Sequence, residues 1–362
     1  MYAIVHRQAE TCSEKIKEMG FEVMVVDHPV EQSDIRGEHL RKNIHREWCC
    51  GHQEFIKLFA YTLPHEIVVH VDIDFLFLKP MDHLFDAILY HKDSPEGRAA
   101  REKIELQRPG DVLPDRIGAF ITRDWPQVAP NKFPPAYQAG FLVARRDHSI
   151  MHEMVEVIKE GNYSNGWGHN YGWGNKGYGG YVGAMAMQGL VGYYYDHIRP
   201  NNAVELNQCR FNHMGMDSLY RHQPNFQARS KFVGKCRAGG TDDCEQCMET
   251  PLEQIYSVHY TMCKKPWMCT AEGKPGGRKP LIDEWQVNLK HCHELHHRWH
   301  EVRQDFENQL YDLTKDETIK EGASGTYKTD LFLGHCGGEK DGNYINLAGK
   351  DETFKQVSKL YD

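Results

Sequence analysis

Residues 67–78 read Ile-Val-Val-His-Val-Asp-Ile-Asp-Phe-Leu-Phe-Leu, an apolar run broken by His70 and by two acids with a single residue between them. Ile67 to Val71 has the β-branched density of a buried strand, and Asp72-Ile73-Asp74 follows at its carboxyl end. A helix precedes it: residues 53–63 place Phe55, Leu58, Phe59 and Thr62 on one side. Another follows, over Asp82 to Leu89, once Pro80 has broken the apolar stretch. Strands alternating with helices predict an α/β fold with a mainly parallel sheet. In open α/β sheets ligands collect at the carboxyl ends of the strands, where the two acids fall.

The alternation extends in both directions. Ala3-Ile4-Val5 reads as a strand, residues 11–19 as a helix capped by Gly20, and Phe21 to Val26 as a second buried strand. No glycine-rich loop joins the first strand to its helix, which disfavours dinucleotide binding. Residues 92–135 are polar and proline-rich and predict a loop-bearing insertion. Phe141 to Val143 predicts a strand and Ile150 to Ile158 a helix. Residues 161–180 are dense in Gly, Asn, Trp and Tyr, as a loop lining a pocket would be. The uncharged run Gly177 to Tyr195 has membrane-spanning length, but its glycines and Gln188 predict a buried helix instead. Residues 270–280 have a linker's composition. Beyond them Trp285, Leu289, Cys292, Leu295, Trp299, Val302, Phe306, Leu310 and Leu313 recur at helical spacing, which predicts one long amphipathic helix before a glycine-rich tail. The expected division is therefore 1–270 and 271–362.

Composition narrows the function. With 40% hydrophobic and 26% charged residues the chain can build a core, and at net charge −8 it has no basic run. Nucleic acid is thereby excluded as main partner, since phosphate neutralisation needs clustered positive charge. Of eleven cysteines, Cys236, Cys244, Cys247, Cys263, Cys269 and Cys292 lie close together. Disulfides in an oxidising lumen and a zinc site at Cys244-Glu-Gln-Cys247 are both open, and the lack of a matching second pair weighs against zinc. Residues 1–10 lack the basic start and apolar core of a signal peptide. Asn162-Tyr163-Ser164 is a glycosylation sequon.

Three stretches carry candidate chemistry. Asp72 and Asp74 can both reach one hard cation, and Mg²⁺ or Mn²⁺ suits such oxygen ligands. His259 follows the apolar Ile255 to Val258 and can add a ring nitrogen, which Mn²⁺ accepts better than Mg²⁺. Lys265 can set a point charge against a phosphate. Lys57, in an otherwise apolar helix, can face a cleft. Each stretch alone also has an ordinary reading: solvated turn acids, a core histidine, a surface lysine.

Together they resemble glycosyltransferase family 8, the glycogenin-like enzymes, from residue 3 to about residue 267. Ile56-Lys57-Leu58-Phe59-Ala60 is similar to the family's lysine-bearing helix. His70 to Leu78, followed by Asp82-His83-Leu84-Phe85, is similar to its metal-binding strand and acidic helix. His259 with Lys265-Pro266-Trp267 is similar to its late motif, and Tyr137-Gln138-Ala139-Gly140-Phe141 to its sugar-pocket strand. The resemblance implies a GT-A fold and a retaining transfer of a hexose or hexuronic acid from a UDP-sugar to a glycan, lipid or protein hydroxyl. It implies metal ligation by Asp72, Asp74 and His259, with Mn²⁺ or Mg²⁺. It places Lys57, Ile73, Met262 and Lys265 around the nucleotide diphosphate, and Gln138 near the donor sugar; Lys57 and Gln138 are the candidate catalytic groups.

Three departures accompany it. Gly179-Gly180-Tyr181-Val182-Gly183 stands where the family has an Asp-Gln pair, so an expected carboxylate is missing and the loop is closer to the plant and algal glucuronosyltransferase-like branch. The family's first strand and helix have no counterpart before Ala3, so an N-terminally incomplete chain is expected, and a membrane anchor only there. The cysteine density favours a Golgi or secretory lumen over the cytoplasm. Two other functions stay open. A catalytically impaired relative could act as a binding or scaffold protein. His293-Glu294-Leu295-His296-His297 is an H-E-x-x-H sequence, the zinc-peptidase pattern, with Glu317 as a distant third ligand. Among 22 histidines such a match arises cheaply.

Overall fold

The computed structural model describes residues 1–215 apart from 19, 47–50, 108–109, 125–136 and 167. Beyond these it describes 247, 250–261, 265–266 and, between 294 and 305, all but 297, 300 and 304. The described residues fall into two units, Met1–Asp72 with Pro80–Phe211, and Ile73–Lys79 with those from Asn212 onward.

The first unit is mixed α/β. Strands β1 (Tyr2–His6) and β2 (Glu22–Val26) pair in parallel, joined by a 3₁₀ turn and helix α1 (Ser13–Glu18). Gly20 sits at φ 86°, a left-handed position that glycine takes without a Cβ penalty. Strand β3 (Ile67–Val71) lies at one edge of a four-stranded sheet. The others are β5 (Ala119–Ile121), β6 (Phe141–Arg145) and β9 (Ala203–Glu205), in the order β3-β6-β5-β9. Pairing is antiparallel for β3 with β6 and for β5 with β6, and parallel for β5 with β9.

A mainly parallel sheet is thus not what forms. Alternation of strands and helices does not fix strand direction: that depends on whether each connection crosses over through a helix packed on the sheet. Helix α2 (Glu38–Asn43) precedes β3, and between β3 and β6 the chain carries a further strand, helix α3 (Asp82–Leu89), a second helix and β5, and β6 returns antiparallel. The insertion expected over 92–135 contains helix α4 (Pro95–Glu102) and β5. Ser94 caps α4 by accepting from the Gly97 amide, and Pro95 occupies its first turn, a start signal legible in the sequence.

The core of this unit is built from Phe55, Leu58, Tyr61, Ile121, Trp173, Tyr178 and Tyr194, among others. Each fully buried large apolar side chain contributes about 1.5–3 kcal/mol relative to exposure. Helix α5 (His148–Glu160) contributes Ile150, Met154, Val155 and Ile158 on one face. Asp147 caps its start, and Gly161 at φ 65° ends it. Residues 163–173, expected as loop, include a short antiparallel pair, β7 (Tyr163–Ser164) with β8 (Gly172–Trp173). The indole of Trp173 donates to the Ala184 carbonyl at 2.8 Å. The uncharged run ends in the buried helix α6 (Met187–Tyr193) and a π turn over Tyr194–Ile198. Among the described residues no helix is long and apolar enough to cross a membrane.

The second unit pairs β4 (Phe75–Phe77) antiparallel with β10 (Ser257–His259). Leu76, Ile255, Val258, Tyr260 and Leu295 form its core, with Trp299 and Val302 against it. Leu295, Trp299 and Val302 belong to the apolar stripe of the predicted C-terminal helix; the rest of that stripe lies outside the described residues.

Candidate metal centre

Asp72 follows β3, held by its amide to the Gly140 carbonyl at 3.0 Å. Asp74 precedes β4, whose register with β10 sets Phe75 opposite His259. The Tyr260 amide donates to the Asp74 carbonyl at 2.9 Å and extends that ladder by one step. Register therefore delivers the imidazole: His259 Nε2 lies 3.3 Å from Asp74 Oδ1, with the histidine only 3% exposed. The His259 amide in turn donates to the His213 carbonyl at 2.9 Å. Asp72, Asp74 and His259 offer ligand atoms that all lie within 4.8 Å of one another.

Two ammonium groups attend these acids. Lys265 Nζ donates to Asp74 Oδ2 and, at 2.7 Å, to the Tyr260 carbonyl. Lys57 Nζ lies 2.8 Å from Asp72 Oδ1 and 2.9 Å from Glu54 Oε1. Burial alone would raise the Asp74 pKa; the hydrogen bond and charge of His259, then those of Lys265, outweigh it and hold this carboxyl well below the usual range. For Lys57, burial lowers the pKa, but Glu54 and Asp72 reverse the balance and keep the amine charged. His70 is pushed down to about 4 by burial and then by the neighbouring Lys57 charge, so it stays neutral near pH 7.

The Lys57 geometry follows from how its helix winds. Gly51–Thr62 is a 3₁₀ helix rather than the expected α-helix. At three residues per turn, positions three apart eclipse. Phe55, Leu58 and Tyr61 form the buried column in place of Phe55, Leu58, Phe59 and Thr62, and Glu54 comes directly beside Lys57. Glu54 stands in no motif of the sequence. Its spacing of three from Lys57 is the signal that could have found it.

The remaining expected residues are placed as follows. Ile73 is 93% exposed between the two acids. Gln138 is buried, its amide donating to the Thr122 carbonyl and its carboxamide oxygen accepting from the Gly140 amide at 2.6 Å. It thus braces the turn that hydrogen-bonds Asp72. Met262 lies outside the described residues, as do His293 and His297 of the H-E-x-x-H sequence. Of that sequence, Glu294 is half-buried and His296 fully buried, edge-on to Tyr260 at 5.7 Å. Cys209 and Cys247 are disulfide-bonded. A Cys247 so bonded supplies no zinc thiolate, which removes the zinc reading of Cys244-Glu-Gln-Cys247.

In the glycine-rich stretch, Tyr181 is buried where the resemblance expects a carboxylate. Asn162 of the sequon is exposed. No protein-family model matches the chain, and no curated protein matches it.

Proposed function

We propose that this chain is a metal-dependent GT-A glycosyltransferase that moves a hexose or hexuronic acid from a UDP-sugar to an acceptor hydroxyl with retention. The observation that carries the reading is the convergence of Asp72, Asp74 and His259, drawn from stretches almost two hundred residues apart, with two ammonium groups on the acids.

The donor set fits a divalent cation. Two carboxylates and one imidazole suit Mn²⁺; Mg²⁺ prefers oxygen alone. Ligation needs ionised acids, and Asp74 is held ionised far below neutral pH. When bound, such a cation stabilises negative charge on the departing diphosphate. Lys57 and Lys265 add fixed positive charge at the same place, where that charge develops. Until a cation arrives they neutralise the acids that would otherwise repel each other. Ile73 would offer an exposed apolar surface to the nucleotide, and Gln138, buried behind the Asp72 turn, would act by bracing that turn. The acceptor hydroxyl is a glycan, lipid or protein. The disulfide chemistry of Cys209 and Cys247 fits an oxidising, Golgi-like lumen.

Calorimetric titration with UDP tests this. The chain is expected to bind UDP with Mn²⁺ and not without it, and Asp72→Asn is expected to abolish that binding with circular dichroism unchanged. Equal UDP affinity with and without metal, or undiminished binding by Asp72→Asn, overturns the proposal. Stoichiometric zinc with no UDP binding points to the peptidase alternative. The absence of a carboxylate from Gly179–Gly183 favours a second reading, a relative that binds the nucleotide sugar without turning it over. Metal-dependent UDP binding without UDP release from any UDP-hexose or UDP-hexuronate would establish it.

A further inference from the structure

Glu54 is an acid on an apolar helix, only 8% exposed. Such a group is costly to bury unless every oxygen is engaged. One oxygen accepts from Lys57 Nζ at 2.9 Å. The other accepts from the Met187 backbone amide at 3.1 Å. Met187 begins α6, and its residue-186 cap supplies no side-chain hydrogen bond, so Glu54 satisfies an amide that the helix cannot. Immediately before α6 runs the glycine-rich stretch, with Gly180 at φ 80° and Gly183 at φ 76°. Gln188 Nε2 donates to the Val182 carbonyl at 2.9 Å, and the Ala186 amide to the Gly183 carbonyl at 3.1 Å. The position of Met187 therefore fixes that of the stretch.

A continuous chain results: Asp72 carboxylate, Lys57 ammonium, Glu54 carboxylate, Met187 amide. We propose that Glu54 is the positioning residue of the cation site, holding Lys57 against Asp72 and tying the glycine-rich stretch to the same ammonium through Met187. The claim rests on Asp72 as a cation ligand and goes beyond it, because the Glu54 oxygens are bonded to Lys57 and Met187 and are not among the grouped ligand atoms.

Charge decides the sign. Lys57 shares its ammonium between two acids. When a cation takes Asp72, Glu54 is the anion that still compensates Lys57. Without the Glu54 charge, Lys57 has Asp72 alone and competes with the cation for it. Glu54→Gln keeps the size and an acceptor oxygen for Met187 but removes the charge. Lys57→Met removes the competitor. The double variant buries neither charge, so it avoids the uncompensated ion that each single change leaves.

The experiment is Mn²⁺ affinity of the full chain and the three variants by titration calorimetry. Glu54→Gln is expected to weaken Mn²⁺ at least tenfold in the otherwise unchanged chain, and less than twofold in the Lys57→Met background. A mere structural role would lower stability in both backgrounds without this dependence on Lys57. Equal weakening in both backgrounds, or none in either, overturns the proposal while leaving the cation site standing. Should the unaltered chain take no Mn²⁺, the sugar-transfer reading and the cation part of this proposal fail together. Hydrogen exchange at the Met187 amide then tests the loop part by itself: Glu54→Ala is expected to speed it at least tenfold, and unchanged exchange overturns that part too.

Discussion

Arg123 lies just past β5, where three anionic or phenolic partners meet it. Its Nε donates to Glu205 at 3.0 Å, and Nη1 and Nη2 donate to the two oxygens of Asp196 at 3.0 and 2.9 Å. The guanidinium also stacks over Tyr137, 4.4 Å from the ring centroid. Asp196 accepts further bonds from the hydroxyls of Tyr137, at 2.8 Å, and Tyr178. The Arg123, Asp196 and Glu205 side chains are 11%, 20% and 9% exposed. Arg123→Met keeps most of the apolar contact and deletes these three charged bonds, taking the guanidinium away from two carboxylates. Removing one partner of a buried pair costs about 3–5 kcal/mol, against a whole-domain stability of about 5–15 kcal/mol. The loss is therefore expected to fall in that 3–5 kcal/mol range, read from urea unfolding followed by circular dichroism at pH 7.

The same network sets a pH signature. Burial alone would raise the Asp196 pKa, but the charge and hydrogen bonds of Arg123, then those of Tyr178 and Tyr137, lower it below its ordinary value. A depressed carboxylate contributes stability above its unfolded pKa and loses it as pH falls through the folded value. The gap between the unaltered chain and Arg123→Met should accordingly narrow below about pH 4. A variant within 1 kcal/mol of the unaltered chain at pH 7 would refute the reasoning, because this network would then be no more than an exposed pair.

Two further outcomes are expected. Gly172 sits at φ 73°, and a Cβ there would come within 2.0 Å of the Tyr178 backbone, which cannot yield as a flexible side chain would; Gly172→Ala should lower the unfolding midpoint measurably, and an unchanged midpoint would show that the β7–β8 pair is not held as described. His28 stacks on His6 at 4.0 Å and meets His52 edge-on at 5.1 Å, and burial first, then the charges of those two rings, lower its pKa against the opposing pull of Glu31 and Asp27. Since the folded state then binds fewer protons than the unfolded one, stability should fall as pH drops below about 6.5, and His28→Gln should flatten that slope in thermal melts between pH 7 and pH 5.

Local signals were legible wherever the physics was local. Ile67 to Val71 forms β3 with those bounds, and Asp82 to Leu89 forms helix α3 over the same residues, because β-branched density and a proline break act within a few positions. Gly20 and Gly161 mark helix ends by the φ that only glycine takes easily. Ser94-Pro95 was an equally plain helix start. The proline-rich composition around it points to loop and masks that signal.

Sequence alone placed Asp72 and Asp74 at the end of a β-branched strand, and set a histidine after a distant apolar run, since side-chain chemistry and periodicity belong to the chain itself; the strand expected to be buried forms a sheet edge with only Val68 buried. Tertiary structure decided the rest. Strand direction depends on which segments pack over the sheet, so the mixed order β3-β6-β5-β9 could not be read from alternation. The β4–β10 register, a matter of long-range pairing, brought His259 to Asp74. The fold that carries Met187 to Glu54, 133 positions away in the chain, is a matter of tertiary packing, where hydrophobic pattern holds no information about partners.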